Sequence, residues 1–209
     1  MSVARPGKII GIGRNYRDHA AELGNTVPAK PLLFFKPPTA VIGDGAAIVL
    51  PPESQQVDFE GEIGVVIGRA LRRATEDQAR AGIAGITCVN DVTARDLQRT
   101  EEQWTRAKGF DTFCPVGPRV VPVDPRRFDK LEVFCRVNGN GRQHGRAPDM
   151  VFSILALVSF VSHVMTLEPG DLIATGTPAG VGPLAPGDVV EVEIPGVGVL
   201  RNPVVAEKR

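Results

Sequence analysis

Glycine and proline interrupt this chain so often that it has little room for long helices. Twenty-three Gly and 18 Pro stand among 209 residues. Glycine ends regular elements through its conformational freedom, proline through its fixed φ and missing N–H. The short apolar runs between these breakers read as strands: residues 8–11, 32–36, 47–50, 60–67, 83–90, 131–137, 171–175, 189–194 and 199–205. Asn138-Gly139-Asn140-Gly141 and Pro195-Gly196 lie between paired runs and predict hairpin turns.

Helical patterns are few. One short helix is expected over 17–23, closed by Gly24, and a second from a Thr75 N-cap to Ala81, before Gly82. A third starts at Ser153 and runs to Pro169-Gly170, with Ile154, Leu155, Leu157, Val158, Val161 and Val164 as its apolar stripe. No repeat or linker divides the chain, so a single β-rich domain over 1–209 is expected.

At 43% hydrophobic and 23% charged, the chain can bury a proper core. Twenty-four basic and 24 acidic residues cancel, which removes the electrostatic case for nucleic acid or an anionic membrane as partner. Cys88, Cys114 and Cys135 sit in apolar runs without metal-type spacing and read as buried free thiols of a reducing compartment. No apolar run approaches the roughly 20 residues of a membrane span, and no leader is seen. A soluble, cytoplasmic protein is expected.

The chemistry concentrates in 57–67. Alternation along a strand puts Glu60 and Glu62 on one face. Two carboxylates so close repel each other unless a cation, a proton or bulk water intervenes. The strand runs on into Val65-Val66-Ile67, so the face is near the core, and an all-oxygen pair there suits a hard divalent cation. A solvated strand face is the plainer alternative. Asp91, closing the apolar run 86–90, is a third candidate ligand; its competing role is to cap the turn into Val92-Thr93-Ala94-Arg95. His19 and Glu22, three apart on a helical turn, could form a general base and its orienting carboxylate, or merely an exposed amphipathic turn. His144, beside a hairpin, and His163, within the long helix, are read as structural.

Six ordered blocks carry a resemblance. They are Gly13-Arg14-Asn15-Tyr16 with His19 and Glu22; Leu33-Phe34-Phe35-Lys36-Pro37; the Glu60/Glu62 strand; Asn90-Asp91-Val92-Thr93-Ala94-Arg95-Asp96-Leu97-Gln98; Ala107-Lys108-Gly109-Phe110-Asp111; and Thr175-Gly176-Thr177-Pro178-Ala179-Gly180-Val181-Gly182. Over about residues 8–205 the chain resembles the fumarylacetoacetate hydrolase family. The pattern looks most like its short acylpyruvate hydrolase/oxaloacetate decarboxylase members and its 2-hydroxyhepta-2,4-diene-1,7-dioate isomerases.

The resemblance implies a β-rich α+β fold, a rolled mixed sheet with a few short helices, and a homodimer. It implies one divalent cation, Mg²⁺ or Mn²⁺ with Ca²⁺ also accommodated, on Glu60, Glu62 and Asp91. It gives His19 and Glu22 the catalytic dyad, Lys108 the enolate, and Arg14, Arg95, Gln98 and Thr177 the surroundings of a small 2-oxo acid. The family's eponymous enzyme has a further metal-binding aspartate before its histidine, where this chain reads Ile10-Gly11-Ile12-Gly13. It also has a separate N-terminal domain, whereas this chain begins almost at the catalytic block. Both departures point away from fumarylacetoacetate as substrate.

The activity implied first is metal-dependent hydrolysis of a C–C bond in an acylpyruvate, through an enolate. Alternatives are the dienedioate isomerase, 5-oxopent-3-ene-1,2,5-tricarboxylate decarboxylase or oxaloacetate decarboxylase reactions of aromatic catabolism, or a non-enzymatic ligand binder on the same scaffold. Residues 14–26 are expected to form a mobile lid that oxalate draws closed.

Overall fold

The computed structural model describes residues 5–122 and 124–208. The chain opens with β1 (Ile9–Gly13), α1 (Arg17–Glu22), β2 (Leu32–Lys36), β3 (Val41–Ile42), β4 (Ile48–Leu50) and β5 (Val57–Phe59). Its middle holds β6 (Gly61–Ile67), α2 (Glu76–Gly82), β7 (Ile83–Asn90), β8 (Thr93–Ala94), α3 (Arg95–Thr100), α4 (Thr105–Gly109) and β9 (Cys114–Val121). β10 (Glu132–Val137), β11 (Asn140–Arg146), α5 (Ile154–Val164), β12 (Leu172–Ala174), β13 (Gly182–Pro183), β14 (Val189–Ile194) and β15 (Gly198–Ala206) complete it.

The strands form a rolled, mixed β arrangement. A seven-stranded sheet has the order β2-β1-β12-β6-β7-β9-β3, a five-stranded one β11-β10-β14-β15-β4, and a three-stranded one β13-β5-β8. In the large sheet, β1–β12 and β3–β9 are parallel pairs, while β6–β7 and β7–β9 are antiparallel. Ile63, Val65 and Cys88 of the large sheet share one apolar cluster with Cys135, Val190, Val192 and Leu200 of the five-stranded sheet. Removing that surface from water is the main force holding the two together. Among the described residues, no helix is long and apolar enough to cross a membrane. Cys88, Cys114 and Cys135 are free and buried, and burial pushes each thiol up to about 12, which makes them inert.

Several expectations are met and several corrected. The Asn138-Gly139 turn joins β10 to β11, both residues taking positive φ (53° and 76°) as a two-residue hairpin requires. Thr75 caps α2 with a full capping box, and Ser153 caps α5. The third helix, however, ends at Val164 and not near Pro169, because residues beyond turn back to pair Leu167 with Leu71. Val164, expected in its buried stripe, is 58% exposed.

Strand β9 was hidden by Pro115, Gly117 and Pro118, which its irregular pairing with β7 accommodates. Strand β11 (Asn-Gly-Arg-Gln-His-Gly-Arg) was hidden by polarity, being a sheet edge with mostly exposed side chains. Helices α3 and α4 are too short and too charged to show an apolar period.

Candidate active site and metal centre

The two glutamates flank a crossing point between sheets. Glu60 is not inside a strand, as the alternation argument placed it; it links β5 of the small sheet to β6 of the large one. The side chains still converge, because the backbone is tied at each step. Glu60 N–H donates to Asn90 Oδ1 (2.9 Å), and Asp91 N–H donates to the Glu60 carbonyl (2.8 Å). Gly61 N–H donates to Gln143 Oε1 (2.9 Å). Between the glutamates, the opposite face of the chain presses on the five-stranded sheet. A Cβ on Gly61 would come within 3.0 Å of Cys135 Cβ, which is why the residue between two functional side chains carries none.

Ligand oxygens of Glu60, Glu62 and Asp91 lie within 4.8 Å of one another, and all three residues are buried. Asp91 does not cap a turn: its carboxylate accepts from Lys36 Nζ and Lys108 Nζ, at 2.6 Å each. Glu60 accepts from Lys108 Nζ (2.8 Å) and Arg95 Nη2 (2.5 Å), and Arg95 Nε also reaches Asp58 (2.8 Å). Burial alone would raise the Glu60 carboxyl, but the Lys108 and Arg95 charges hold it well below the carboxylate range. Burial disfavours the Lys108 charge, yet Asp91 and Glu60 keep its ammonium firmly protonated.

Glu62 is different. Four buried carboxylates, Asp58, Glu60, Glu62 and Asp91, share three buried cations, Lys36, Arg95 and Lys108, and no ion pair reaches Glu62 among the described residues. It accepts a hydrogen bond from Gly176 N–H (2.7 Å). Burial, then the charges of Asp91 and Glu60, push its carboxyl well above the ordinary range. A buried negative charge without a counter-ion is costly. The donor set therefore fits a hard divalent cation, which would supply the missing charge where Glu62 now has none.

Helix α1 brings the histidine. His19 is buried, with Nδ1 3.4 Å from Glu22 Oε2, and Gly180 N–H donates to both Glu22 oxygens at 3.1 and 3.2 Å. Burial lowers the His19 pKa below its ordinary 6.5 and outweighs the opposing pull of Glu60 and Glu22. The carboxylate thus orients the ring more than it raises its basicity.

One cavity of about 420 Å³ collects Arg14, His19, Glu22, Glu60, Glu62 and Asp91 with Arg95, Gln98, Lys108 and Thr177, every candidate drawn from the sequence. His144 and His163 lie outside it, the first stacked on Phe134 (4.4 Å between ring centroids), the second bonded to the Ser159 carbonyl. Arg95 spends its donors on Asp58, Glu60 and Gln98, so it braces the site. The Thr177 hydroxyl is likewise engaged, donating to the Gly61 carbonyl (3.0 Å) and accepting from Gln143 Nε2 (2.7 Å).

Sequence reasoning missed Lys36 and Gln143 as braces, and Asn25, Arg99 and Trp104 as cavity wall. Lys36 lay in a quoted block and could have been found there. Gln143, in a polar edge strand, gave no signal.

Fold and site together define a protein that sets an acidic cluster, of a kind that could hold a cation, beside a buried histidine in one cavity. A model of the fumarylacetoacetate (FAA) hydrolase C-terminal family matches residues 8–205, and the chain belongs to that family. It is 44% identical over 216 residues to the mitochondrial oxaloacetate tautomerase FAHD2A of Bos taurus, covering 97% of this chain and 68% of the relative. The 5-carboxymethyl-2-hydroxymuconate delta-isomerase of Mycobacterium smegmatis superposes with a TM-score of 0.89 at 46% identity, over 98% and 81% of the two chains. The 2-hydroxyhepta-2,4-diene-1,7-dioate isomerase of Mycobacterium marinum does so with 0.89 at 48%, over 98% and 77%.

Proposed function

We propose that this enzyme moves a proton at the carbon beside the keto group of a small 2-oxo acid, interconverting keto and enol forms as a tautomerase or isomerase. The observation that carries this reading is a buried His19, oriented by Glu22, facing the same cavity as the carboxylate triad. The relatives' names support it, since an oxaloacetate tautomerase and two isomerases all relocate a proton on a 2-oxo or 2-hydroxy acid.

A divalent ion on Glu60, Glu62 and Asp91, Mg²⁺ or Mn²⁺ by its all-oxygen donors, would supply Lewis-acid charge to the 2-oxo acid. His19 takes the proton from C3 of the keto form. The C–H pair becomes the C2–C3 double bond, the carbonyl pair moves to oxygen, and that oxygen takes a proton back from the His19 imidazolium, directly or through a water, which gives the enol and restores the neutral base. The reverse sequence returns the ketone. Lys108 adds positive charge at the cavity floor as the oxygen becomes negative. Glu22 keeps the ring in place for both directions.

Hydrolysis of a C–C bond in an acylpyruvate, the activity expected first from sequence, is the second reading. The same dyad could activate water, and the size of the cavity favours it, since a water of about 30 Å³ fits beside a small substrate. The test is to dilute the enol of oxaloacetate into buffer with Mg²⁺ and protein. Faster loss of enol absorbance, with no matching release of pyruvate, is expected. No acceleration, or pyruvate formed as fast as the enol disappears, would overturn the reading.

A further inference from the structure

The cavity has two electrically different ends. At the floor, Lys36, Arg95 and Lys108 are all engaged by carboxylates. Two further guanidinium groups line the same cavity, Arg14 and Arg99, and neither makes an ion pair among the described residues. The remaining lining carboxylate, Glu22, is tied to His19 and to Gly180 N–H.

Both arginines are placed by the fold. Arg14 has φ +59°, a left-handed conformation that costs a non-glycine residue energy and that cavities and clamps tend to retain. Its guanidinium lies over Trp104 at 5.9 Å, and Trp104 packs edge-on against Phe34 at 5.5 Å. Gly13 makes room for that ring, since a Cβ there would lie 2.9 Å from it. Arg99 stands four residues after Arg95 on α3, so the two share a helix face about 6 Å apart along the axis. Arg95 reaches the floor at Glu60; Arg99 sits one turn further out, exposed, with one bond to Gln56 Oε1 (3.3 Å) and donors to spare.

We propose that Arg99, together with Arg14, forms an anion subsite at the cavity mouth that takes the remote carboxylate of a 2-oxo dicarboxylic acid. The inference rests on the reading that the floor receives the 2-oxo acid end. The ligand class is then one with two acidic ends, the first held at the floor and the second reaching the exposed end of the cavity where Arg99 stands. Guanidinium suits this task because its donors match a carboxylate two at a time.

The test is a binding comparison that needs no turnover. N-oxalylglycine carries a 2-oxo acid end and a remote carboxylate; N-ethyloxamate keeps the first and replaces the second by a methyl group. Calorimetry on the Mg²⁺-loaded protein should show the dianion binding about 10-fold or more tightly than the monoanion, the usual reach of a charged hydrogen bond. That ratio should collapse towards one in Arg99→Ala and in Arg14→Ala. Arg106→Ala removes an exposed charge that pairs with Glu101 outside the cavity lining, and it should keep the ratio. No preference in the wild type, a preference that Arg99→Ala retains, or an equal loss in Arg106→Ala would overturn the subsite. Failure of the tautomerase reading would show separately, as a protein that prefers the dianion yet does not speed enol decay.

Discussion

The floor and the rim of the cavity are built on opposite plans. The floor is anchored on the sheets: Glu62 and Lys36 stand on strands, Glu60 and Asp91 at strand ends, and Lys108 on α4, which packs against β2. All five are at most 4% exposed, and nearly every charge is met by another. The rim is short helix. α1 has six residues and no side-chain N-cap bond, and α3 has six more whose outer turn is exposed. Such helices borrow their order from what they pack on. A floor fixed by long-range strand pairing can hold an ion in a set geometry, while a rim of short helices can open to admit a substrate and then exclude water. On this account, floor substitutions that break an ion pair should damage folding and chemistry together, and rim substitutions chemistry alone.

The largest effect is expected at the floor. Glu60→Ala strands Arg95 and Lys108 as buried charges without their shared partner, a loss of about 3–5 kcal/mol. Thermal melts should fall sharply, and metal binding and turnover should vanish together. A stable, metal-binding Glu60→Ala protein would erase the contrast.

At the rim, His19→Ala should cut turnover by about 10²-fold or more, the range of a lost general base, while leaving ion affinity and melting temperature near the wild type. The base works when neutral, and its pKa is lowered by burial. In the wild type kcat/KM should therefore be flat through pH 7 and decline only as pH drops below the ordinary histidine value of about 6.5. A bound cation pushes the same way. An acid limb centred above pH 7 would mean another group is titrating.

The smallest effect sharpens the comparison without a mutation. Amide hydrogen exchange across 14–26 should slow when oxalate is added to the metal-loaded protein, while β6 and β7 stay equally protected in both states. Equal exchange across 14–26, with oxalate shown to be bound, would make the rim as fixed as the floor.

The same divide governs what the sequence revealed. The Glu60/Glu62 pair and Asp91 were legible because strand alternation and a strand end are local patterns. Their bracing was not: Lys36 reaches Asp91 across 55 residues and Gln143 reaches Gly61 across 82, and sequence spacing carries no trace of such pairs. β9 and β11 stayed hidden because proline and polarity mask strands whose pairing is decided by their neighbours. Helix α1 was found from its glycine stop, whereas α3 and α4 lack any apolar period, so the wall bearing Arg99 and Trp104 emerged only from the fold.

The central claim is that the triad is a cation site in which Glu62 is the ligand left uncompensated by the protein. Titration of Mn²⁺ or Mg²⁺ into wild type and Glu62→Gln, each with a metal-free melt, tests it most directly. The account predicts one ion per wild-type chain and a large loss of affinity in the variant. It also predicts that the metal-free variant melts at or above the wild type, by roughly 2–4 °C for each kcal/mol of relieved charge burial. Unchanged ion affinity in Glu62→Gln, or a metal-free variant clearly less stable than wild type, would contradict it.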